Sequence, residues 1–587
     1  MTARPVREAT GLDAATAAAT QALLNCCLRE DPRWRIAPAE GPDRTHEARL
    51  ALPGLDAELV AGISHLSPAL RHRFALPAGL ATGDGPARPL SAHALAALVV
   101  DAIARDDPRG AGRPTVLMER FLDSVHAVAG DIDARRDDLE RLWGAAPLGF
   151  IDSEQALLLG HPTHPTPKSR VEMGDARDAY SPEARARFPL HWLAVEPDLV
   201  VHDSAADAPA PALAAALIGD GAPPPGPGDR VLVPAHPWEA AHLRRDPRAA
   251  ALLDSGRITD LGPLGAPVTP TTSLRTVYHE RWPWQLKFSL HVRVTNSMRV
   301  TLPKELRRAV EAARLWRTGV GALAARLAPR FVVLHDPAYL AVADEHGLID
   351  GFSVLLRENR WPAAARADVS ALTVLCQDGP FGGRSRLGNI VARLAADAGR
   401  TEPDVAREWF ARYCDVMVLS LVRLYLDAGL CFEPHQQNTL LELERGWPAR
   451  GVVRDSQGYF HREAAHEDMV GVIPGIGEES ESIFPEALAD ERLVYYPFVN
   501  NALGVAAALG LAGVADEAVL LADLRDLLRR ERARGGRYPA TLLDRLLDDD
   551  EWPCKANLRT RLHDLDELVG DISVQSVYVT IPNPLRP

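Results

Sequence analysis

Lysine is scarce in this chain. Among 65 lysines and arginines in 587 residues, only Lys168, Lys287, Lys304 and Lys555 are lysines. A GC-rich coding background makes arginine the default cation, so each retained lysine is a flag: a compact ammonium and a planar guanidinium are not interchangeable. Cysteine is scarce as well. The six cysteines are scattered, Cys26 and Cys27 adjacent, and no C-x-x-C pair occurs. That excludes a disulfide framework and a cysteine-based zinc site. Net positive charge is also lacking. The formal charge of −14 argues against a general nucleic-acid binder, which needs a basic surface, but leaves room for a local basic pocket. The start of the chain has no basic segment followed by an apolar run, so no signal peptide is expected. The most apolar helical stretch identified, Val416–Leu426, is interrupted by Arg423 and too short to span a bilayer. These absences point to a cytoplasmic protein without a membrane segment. Neither G-x-G-x-x-G nor G-x-x-x-x-G-K-[ST] is present, which excludes the usual Rossmann and P-loop signatures.

What is present reads as helices, then strands, then helices. Leu12–Arg29, Leu90–Arg105 and Val116–Leu142 have helical apolar spacing, so the first 145 residues are expected to be mostly helical, with a Gly/Pro-rich loop at Leu76–Pro89. Asp203–Asp229 reads as a surface loop around a short Ala-rich helix. Strands are expected at Arg230–Ala235, Leu274–His279, Trp284–Thr295, Phe331–Leu334 and Phe352–Leu356. Pro403–Ala428 reads as one long buried helix closed by Gly429, followed by a β segment at Pro434–Leu443 and Gly451–Asp455. Leu488–Gly570 reads as mainly helical. This order is α+β, not alternating βαβ.

Four segments concentrate chemistry. In Trp284–Thr295, alternation puts Phe288, Leu290, Val292 and Val294 on one face and Lys287, Ser289, His291, Arg293 and Thr295 on the other. The pattern fits a strand with one wet face, or a strand lining a polar cavity. Lys287 and Arg299 would stand about 40 Å apart on a straight strand, so serving one ligand requires a bend, expected near Asn296–Ser297. Upstream, Thr269–Thr276 clusters hydroxyls with Arg275, a combination that suits phosphate and also ordinary loops. Gly160–Arg170 holds three prolines in six residues, a stiff loop that presents His161, His164, Lys168 and Arg170. A metal reading of the two histidines lacks an obvious third ligand. Finally, Glu433-Pro-His-Gln-Gln-Asn438 and Asp455 offer hard oxygen ligands across a hairpin, suited to Mg²⁺ carrying ATP phosphates. Kinase-like phosphotransferases use an Asn and an Asp in this way.

The ordered set His161-Pro-Thr-His-Pro-Thr-Pro-Lys168-Ser-Arg170, Pro234-Ala-His-Pro-Trp238, Ser273-Leu-Arg-Thr276, Lys287 through Arg299, and Glu433–Asn438 with Asp455 resembles the IucA/IucC family, the NRPS-independent siderophore (NIS) synthetases. The resemblance spans about residues 155–460. It implies a cupped hand: a helical thumb at 1–150, strand-rich fingers at 151–380, and a mainly helical, distantly kinase-like palm with a small β-hairpin at 381–587. It also implies the reaction. A carboxylate of citrate, succinate or a derivative is adenylated by ATP, and the acyl group passes to an amine or hydroxyl with release of AMP and pyrophosphate. By motif, Ser273, Arg275, Thr276, Lys287, Arg299, His435 and Gln437 bind ATP, and Glu433, Asn438 and Asp455 hold Mg²⁺. His161, His164, Lys168 and Thr295 face the carboxylate substrate, a polycarboxylate or acyl-hydroxamate. His164, Lys168, Arg299 and His435 are the expected catalytic set. A homodimer is implied by common behaviour in the family. The motif continues Ser-Arg-Val-Glu-Met-Gly174, a longer run to glycine than the family pattern, which bears on substrate identity. A kinase-like phosphotransferase is the alternative; it would want an Asp base shortly before Asn438, where this chain has Glu433 and His435. Lys304 and Lys555 receive no role.

Overall fold

The computed structural model describes residues 9–566 and 576–586, apart from 42, 84, 106, 108–111, 220–228 and 363–366. The Pro-Pro-Pro-Gly-Pro-Gly stretch read as a surface loop lies outside the described residues, as does the end of the helical reading at 567–570; the Ala-rich helix is present as Ala210–Ala215.

The N-terminal region corrects the helical reading. Helices Gly11–Glu30, Ala92–Arg105 and Pro114–Ala134 are present. Between the first two lies a five-stranded antiparallel sheet of Arg35–Gly41, Arg44–Leu52, Ala57–His65, Arg73–Thr82 and Arg88–Pro89. The presumed loop Leu76–Pro89 therefore belongs largely to strands. These segments are rich in Ala, Gly and Pro, poor strand formers in isolation. Cross-strand pairing and burial of Leu50, Leu59, Ile63 and Phe74 against the helices override that preference.

The centre is a nine-stranded sheet whose main order runs Gly347–Leu348, Ala338–Asp344, Val354–Glu358, Trp284–Phe288, Thr276–Tyr278, Ile258–Pro270, Phe188–Val195 and Val231–Ala235. The expected continuous strand Trp284–Thr295 breaks at Ser289. Trp284–Phe288 stays in the sheet, while Leu290–Val294 pairs with Ser297–Arg299 as a separate hairpin. The anticipated reversal is there, with Thr295 in the left-handed region at φ 56°. The break splits the polar face. Lys287 enters the central cleft, His291 Nδ1 meets Glu239 Oε1 at 2.6 Å, and Arg293 reaches Asp564.

The C-terminal half packs helices around a four-stranded sheet of Phe331–Leu334, Trp447–Arg454, Thr439–Glu444 and Asp368–Ala371. The predicted hairpin is its core, and Gly429 ends the preceding helical run in the left-handed conformation at φ 66°. That run is not one straight helix: Glu402–Val416 and Val418–Arg423 meet at a kink on Met417, and Leu424–Ala428 is a π-turn. Among the described residues, Glu486–Leu511 is a longer apolar helical run than Val416–Leu426. It is long and apolar enough to cross a membrane, yet 89% of its apolar window is buried inside the fold. Three large apolar clusters form: one under the N-terminal sheet, one beneath the central sheet and one among the C-terminal helices. Leu558 and Leu562, close to the C-terminus, pack into the first.

Candidate active site

A cleft opens between the central sheet and the C-terminal sheet. A second cavity adjoins it and shares Arg275, Arg299, His435, Asn438, Asp455, Tyr496 and Lys555. Every residue expected at the site lines one or both cavities; Glu433 lines the second.

The turn at Thr271–Thr276 forms because Leu274 adopts φ 68° and Thr272 is anchored from below. Glu154 Oε2 accepts hydrogen bonds from Thr272 N and Oγ1, both 2.9 Å. Glu154 also receives Arg454 Nη1 at 2.8 Å, so a buried ion pair ties this turn to the strand that ends at Asp455. Arg454 Nη2 donates to Gln437 O, and Gln437 Nε2 donates to Thr272 O. Arg275 reaches Gln457 Oε1 at 2.7 Å. Thr276 stands directly opposite Lys287 in the antiparallel ladder, which puts both side chains on one face. Thr276 Oγ1 is buried with no hydrogen-bond partner among the described residues. A buried hydroxyl without a partner is costly, and a bound acceptor such as a phosphate oxygen would satisfy it.

Lys287 is 1% exposed. Its ammonium pairs with Asp455 and lies 4.0 Å from Asp336, which itself takes Arg357 as a bidentate partner. Burial lowers the Lys287 pKa to about 8. Burial alone would raise the Asp455 carboxyl, but Lys287, Arg357 and Arg275 outweigh it and hold it far below the usual range. Asp455 sits at φ 80° and caps the turn Ser456–Gly458. Arg299 Nη2 donates to Val294 O at 2.7 Å and Thr295 Oγ1 at 3.1 Å. Burial lowers the His435 pKa to about 4, so its ring is neutral at physiological pH. Glu433, half-buried and with its pKa raised mainly by desolvation, has Arg492 4.0 Å away. Glu433, Asn438 and Asp455 share the wall of the second cavity. Three hard oxygen donors, one an incompletely neutralised carboxylate, fit a cation of the Mg²⁺ type.

The histidine loop lines the cleft with His161, His164 and Lys168. His161 Nε2 lies 2.9 Å from Asn500 Nδ2, and burial drives its pKa well below the usual value. His164 is 1% exposed and bonds to Thr166 N and Asn296 Oδ1. Lys168 lines the cleft with its stem, but its ammonium turns inward to Glu183 and the Leu157 carbonyl. Arg170 binds the same Glu183 through two nitrogens, 3.0 Å each. As placed, Lys168 braces the loop rather than meeting substrate.

Several cleft residues escaped the sequence reading: Lys555, Asn557, Asn296, Asn500, Tyr496, Arg454 and Arg357. For one of them a signal existed. Lys168, Lys287 and Lys555 line the main cleft, and Lys304 and Lys555 line the adjoining cavity. All four lysines of the chain thus face this site, and the scarcity rule alone marks Lys555.

A cation-lined cleft beside a wall of hard oxygen donors, between two sheets of an α+β fold, suits chemistry on a nucleoside triphosphate, and comparison with known proteins makes it that of an ATP-dependent carboxylate–amine ligase. The family model described as IucA / IucC family matches residues 149–377. A second, described as ferric iron reductase FhuF-like transporter, matches 407–570. The rhizobactin siderophore biosynthesis protein RhbC of Rhizobium meliloti is 39% identical, over 96% of each chain. The spermidine-citrate ligase of Bacillus anthracis is 34% identical over 80% of this chain and 79% of its own length. The ATP-bound aerobactin synthetase IucA from Klebsiella pneumoniae superposes with a TM-score of 0.86 at 31% identity, covering 97% of this chain and 99% of that one. The chain belongs to the IucA/IucC family.

Proposed function

We propose that this protein adenylates a carboxylate of citrate, succinate or a related polycarboxylate or acyl-hydroxamate and transfers the acyl group to an amine or hydroxyl in siderophore biosynthesis. The observation that carries this reading is the concentration of Arg275, Lys287, Arg299 and Lys555 around one cleft in a chain of net charge −14. Two anions must meet there, and fixed cations offset their repulsion and the charge that grows on phosphorus. A carboxylate oxygen attacks the α-phosphorus, the bond to the β-phosphate bridging oxygen breaks, and pyrophosphate leaves. The nucleophile then attacks the acyl carbon, loses a proton, and AMP departs.

Ser273, Arg275, Thr276, Lys287, Arg299, His435 and Gln437 are assigned to the nucleotide. The unpartnered Thr276 hydroxyl and the facing Lys287 support this. Glu433, Asn438 and Asp455 are assigned to Mg²⁺, which when bound offsets phosphate charge. His161, His164 and Thr295 are assigned to the carboxylate side, with Lys168 bracing them through Glu183. Lys555 joins them as a further cation. The division is into thumb at 1–150, fingers at 151–380 and palm at 381–587; the C-terminal cluster also takes in Leu315, Ala324, Leu372 and Leu375 from the fingers, and Leu558 and Leu562 return to the thumb. The name of the Bacillus anthracis relative makes citrate the first carboxylate to try. The phosphotransferase alternative is not favoured: the named relatives are ligases and synthases, and a kinase would yield ADP.

The test is a pyrophosphate-release screen over citrate, succinate, 2-oxoglutarate and succinyl-hydroxamates, first without and then with candidate amines. Release that depends on one carboxylate is the expected result. Release indifferent to every carboxylate, or formation of ADP, sinks the reading.

A further inference from the structure

A closed hydrogen-bond circuit runs through His164, and its two ends are backbone groups whose roles cannot interchange. Thr166 N–H donates to His164 Nδ1 at 3.1 Å. Nδ1 is therefore the accepting nitrogen, and the proton of the neutral ring sits on Nε2. Nε2 lies 3.0 Å from Asn296 Oδ1, in the turn of the hairpin that carries Thr295 and Arg299. With its oxygen engaged, Asn296 directs Nδ2 to Asn557 Oδ1 at 3.1 Å. Asn557 Nδ2 then donates to the Thr163 carbonyl at 2.8 Å, one residue before His164. Donor and acceptor directions agree at all four links. Amide orientation and histidine tautomer, normally matters of assignment, are determined here by the backbone at both ends. An imidazolium would turn a second N–H against the Thr166 N–H, so the circuit admits only the neutral ring.

None of the side-chain links is local. They join residues 132, 261 and 394 apart in sequence, and His164, Asn296 and Asn557 are all buried. A buried polar network whose members are all satisfied rigidifies its surroundings. Here it ties the histidine loop, the hairpin turn and the C-terminal segment together. That segment also bears Lys555, two residues before Asn557. On its far side Glu30 accepts from Leu558 N and Arg559 N, both at 2.9 Å.

Resting on the adenylation reading of the cleft, we propose that Asn296 and Asn557 are positioning residues: they fix the orientation of the neutral Nε2–H imidazole that the Thr166 N–H selects and, through the same bonds, dock the C-terminal segment that presents Lys555. His164 is then a fixed donor within the wall and not the group that takes the proton from the incoming nucleophile.

The test uses the full chain carrying ¹⁵N in its histidine rings, with His164→Gln to assign the resonances. Long-range ¹H–¹⁵N correlation of the wild type is expected to show His164 protonated on Nε2 alone. Asn557→Ala removes the acceptor of Asn296 Nδ2 and the tie to the Thr163 carbonyl, so the His164 Nε2–H resonance shifts and exchanges faster with solvent, while the Thr166 N–H keeps the tautomer. Carboxylate-dependent pyrophosphate release in Asn557→Ala falls about 10- to 100-fold, the scale set by small misplacements in a site, while KM for ATP stays within about twofold. A wild-type His164 protonated on Nδ1, or on both nitrogens, overturns the proposal, and so do an unchanged Nε2–H resonance and solvent exchange in an Asn557→Ala variant that melts cooperatively; the wild-type spectrum decides the tautomer without any variant. The expected tautomer in a wild type that releases no pyrophosphate with any carboxylate would instead overturn the adenylation reading.

Discussion

At the scale of single residues, the cleft separates groups that serve the fold from groups held ready for a ligand. Thr276 is the clearest case of the second kind. Replacing a buried hydroxyl that lacks a partner by a methyl removes a cost, so Thr276→Val is expected to melt at the wild-type temperature or above it. If the hydroxyl bonds a phosphate oxygen, the same change forfeits a charged hydrogen bond of about 1.5–3 kcal/mol, and nucleotide affinity measured by calorimetry falls roughly 10- to 150-fold. Unchanged affinity would remove Thr276 from the nucleotide site. Arg299 is partly exposed and donates to Val294 O and Thr295 Oγ1 of its own hairpin. Arg299→Ala should keep its melting temperature and lower carboxylate-dependent pyrophosphate release about 100- to 1,000-fold, the usual loss when a transition-state charge partner goes. Wild-type rates there would contradict the triphosphate assignment. Asp455→Asn should abolish Mn²⁺ binding in the presence of a non-hydrolysable ATP analogue, read by electron paramagnetic resonance. Retained binding would exclude Asp455 as a metal ligand. The residue types at these positions were legible from motif and chemistry. Asn557 was not, and Lys555 was marked only by the scarcity of lysine, because both lie about a hundred residues beyond the matching motifs and reach the cleft only through tertiary docking. The pairing of Lys168 with Glu183 was not legible either, because only the fold brings the two together.

At the scale of elements, the hairpin Leu290–Val294 with Ser297–Arg299 explains how Lys287 and Arg299 serve one cleft. A straight strand would separate them by about 40 Å; the break at Ser289 and the left-handed Thr295 return the chain on itself. The need for a bend was readable from spacing alone, its place at Ser289 was not, since Phe288, Ser289 and Leu290 continue the alternation without interruption. The N-terminal strands were unreadable for a related reason: their Ala, Gly and Pro content suits strands only once partners are in register. The helix Asn557–Leu562 depends on Glu30, whose carboxyl caps its first N–H groups from a distant helix. Burial raises the Glu30 pKa to about 7 from an ordinary 4.5, against the opposing pull of those two hydrogen bonds. Between these values the unfolded chain releases the proton and the folded chain keeps it, so stability falls as pH rises. Relative to Glu30→Gln, the wild type should lose about 3 kcal/mol of unfolding free energy between pH 4.5 and pH 7, measured by denaturant titration at each pH. A difference that does not vary with pH would exclude this titration.

At the scale of the whole molecule, the acidic surface and the basic cleft are complementary parts of one design. Fourteen excess negative charges keep the exterior acidic while the cations that matter are collected in one concavity, where fixed charges act more strongly than they would in water. The four lysines mark that concavity from four separate parts of the chain. The α+β class and the motif order were readable from sequence because the family's signature is dispersed yet ordered. The return of the C-terminus to the first core was not, since Leu558 and Leu562 look like any helical apolar pair until they are seen beside Leu24 and Ile103. The central claim, adenylation of a carboxylate, is tested most directly by following an atom. With citrate carrying ¹⁸O in its carboxylates, attack on the α-phosphorus followed by acyl transfer to an amine leaves one labelled oxygen in the phosphate of AMP, and mass spectrometry is predicted to find it there. AMP without ¹⁸O, or ADP in its place, would contradict the account.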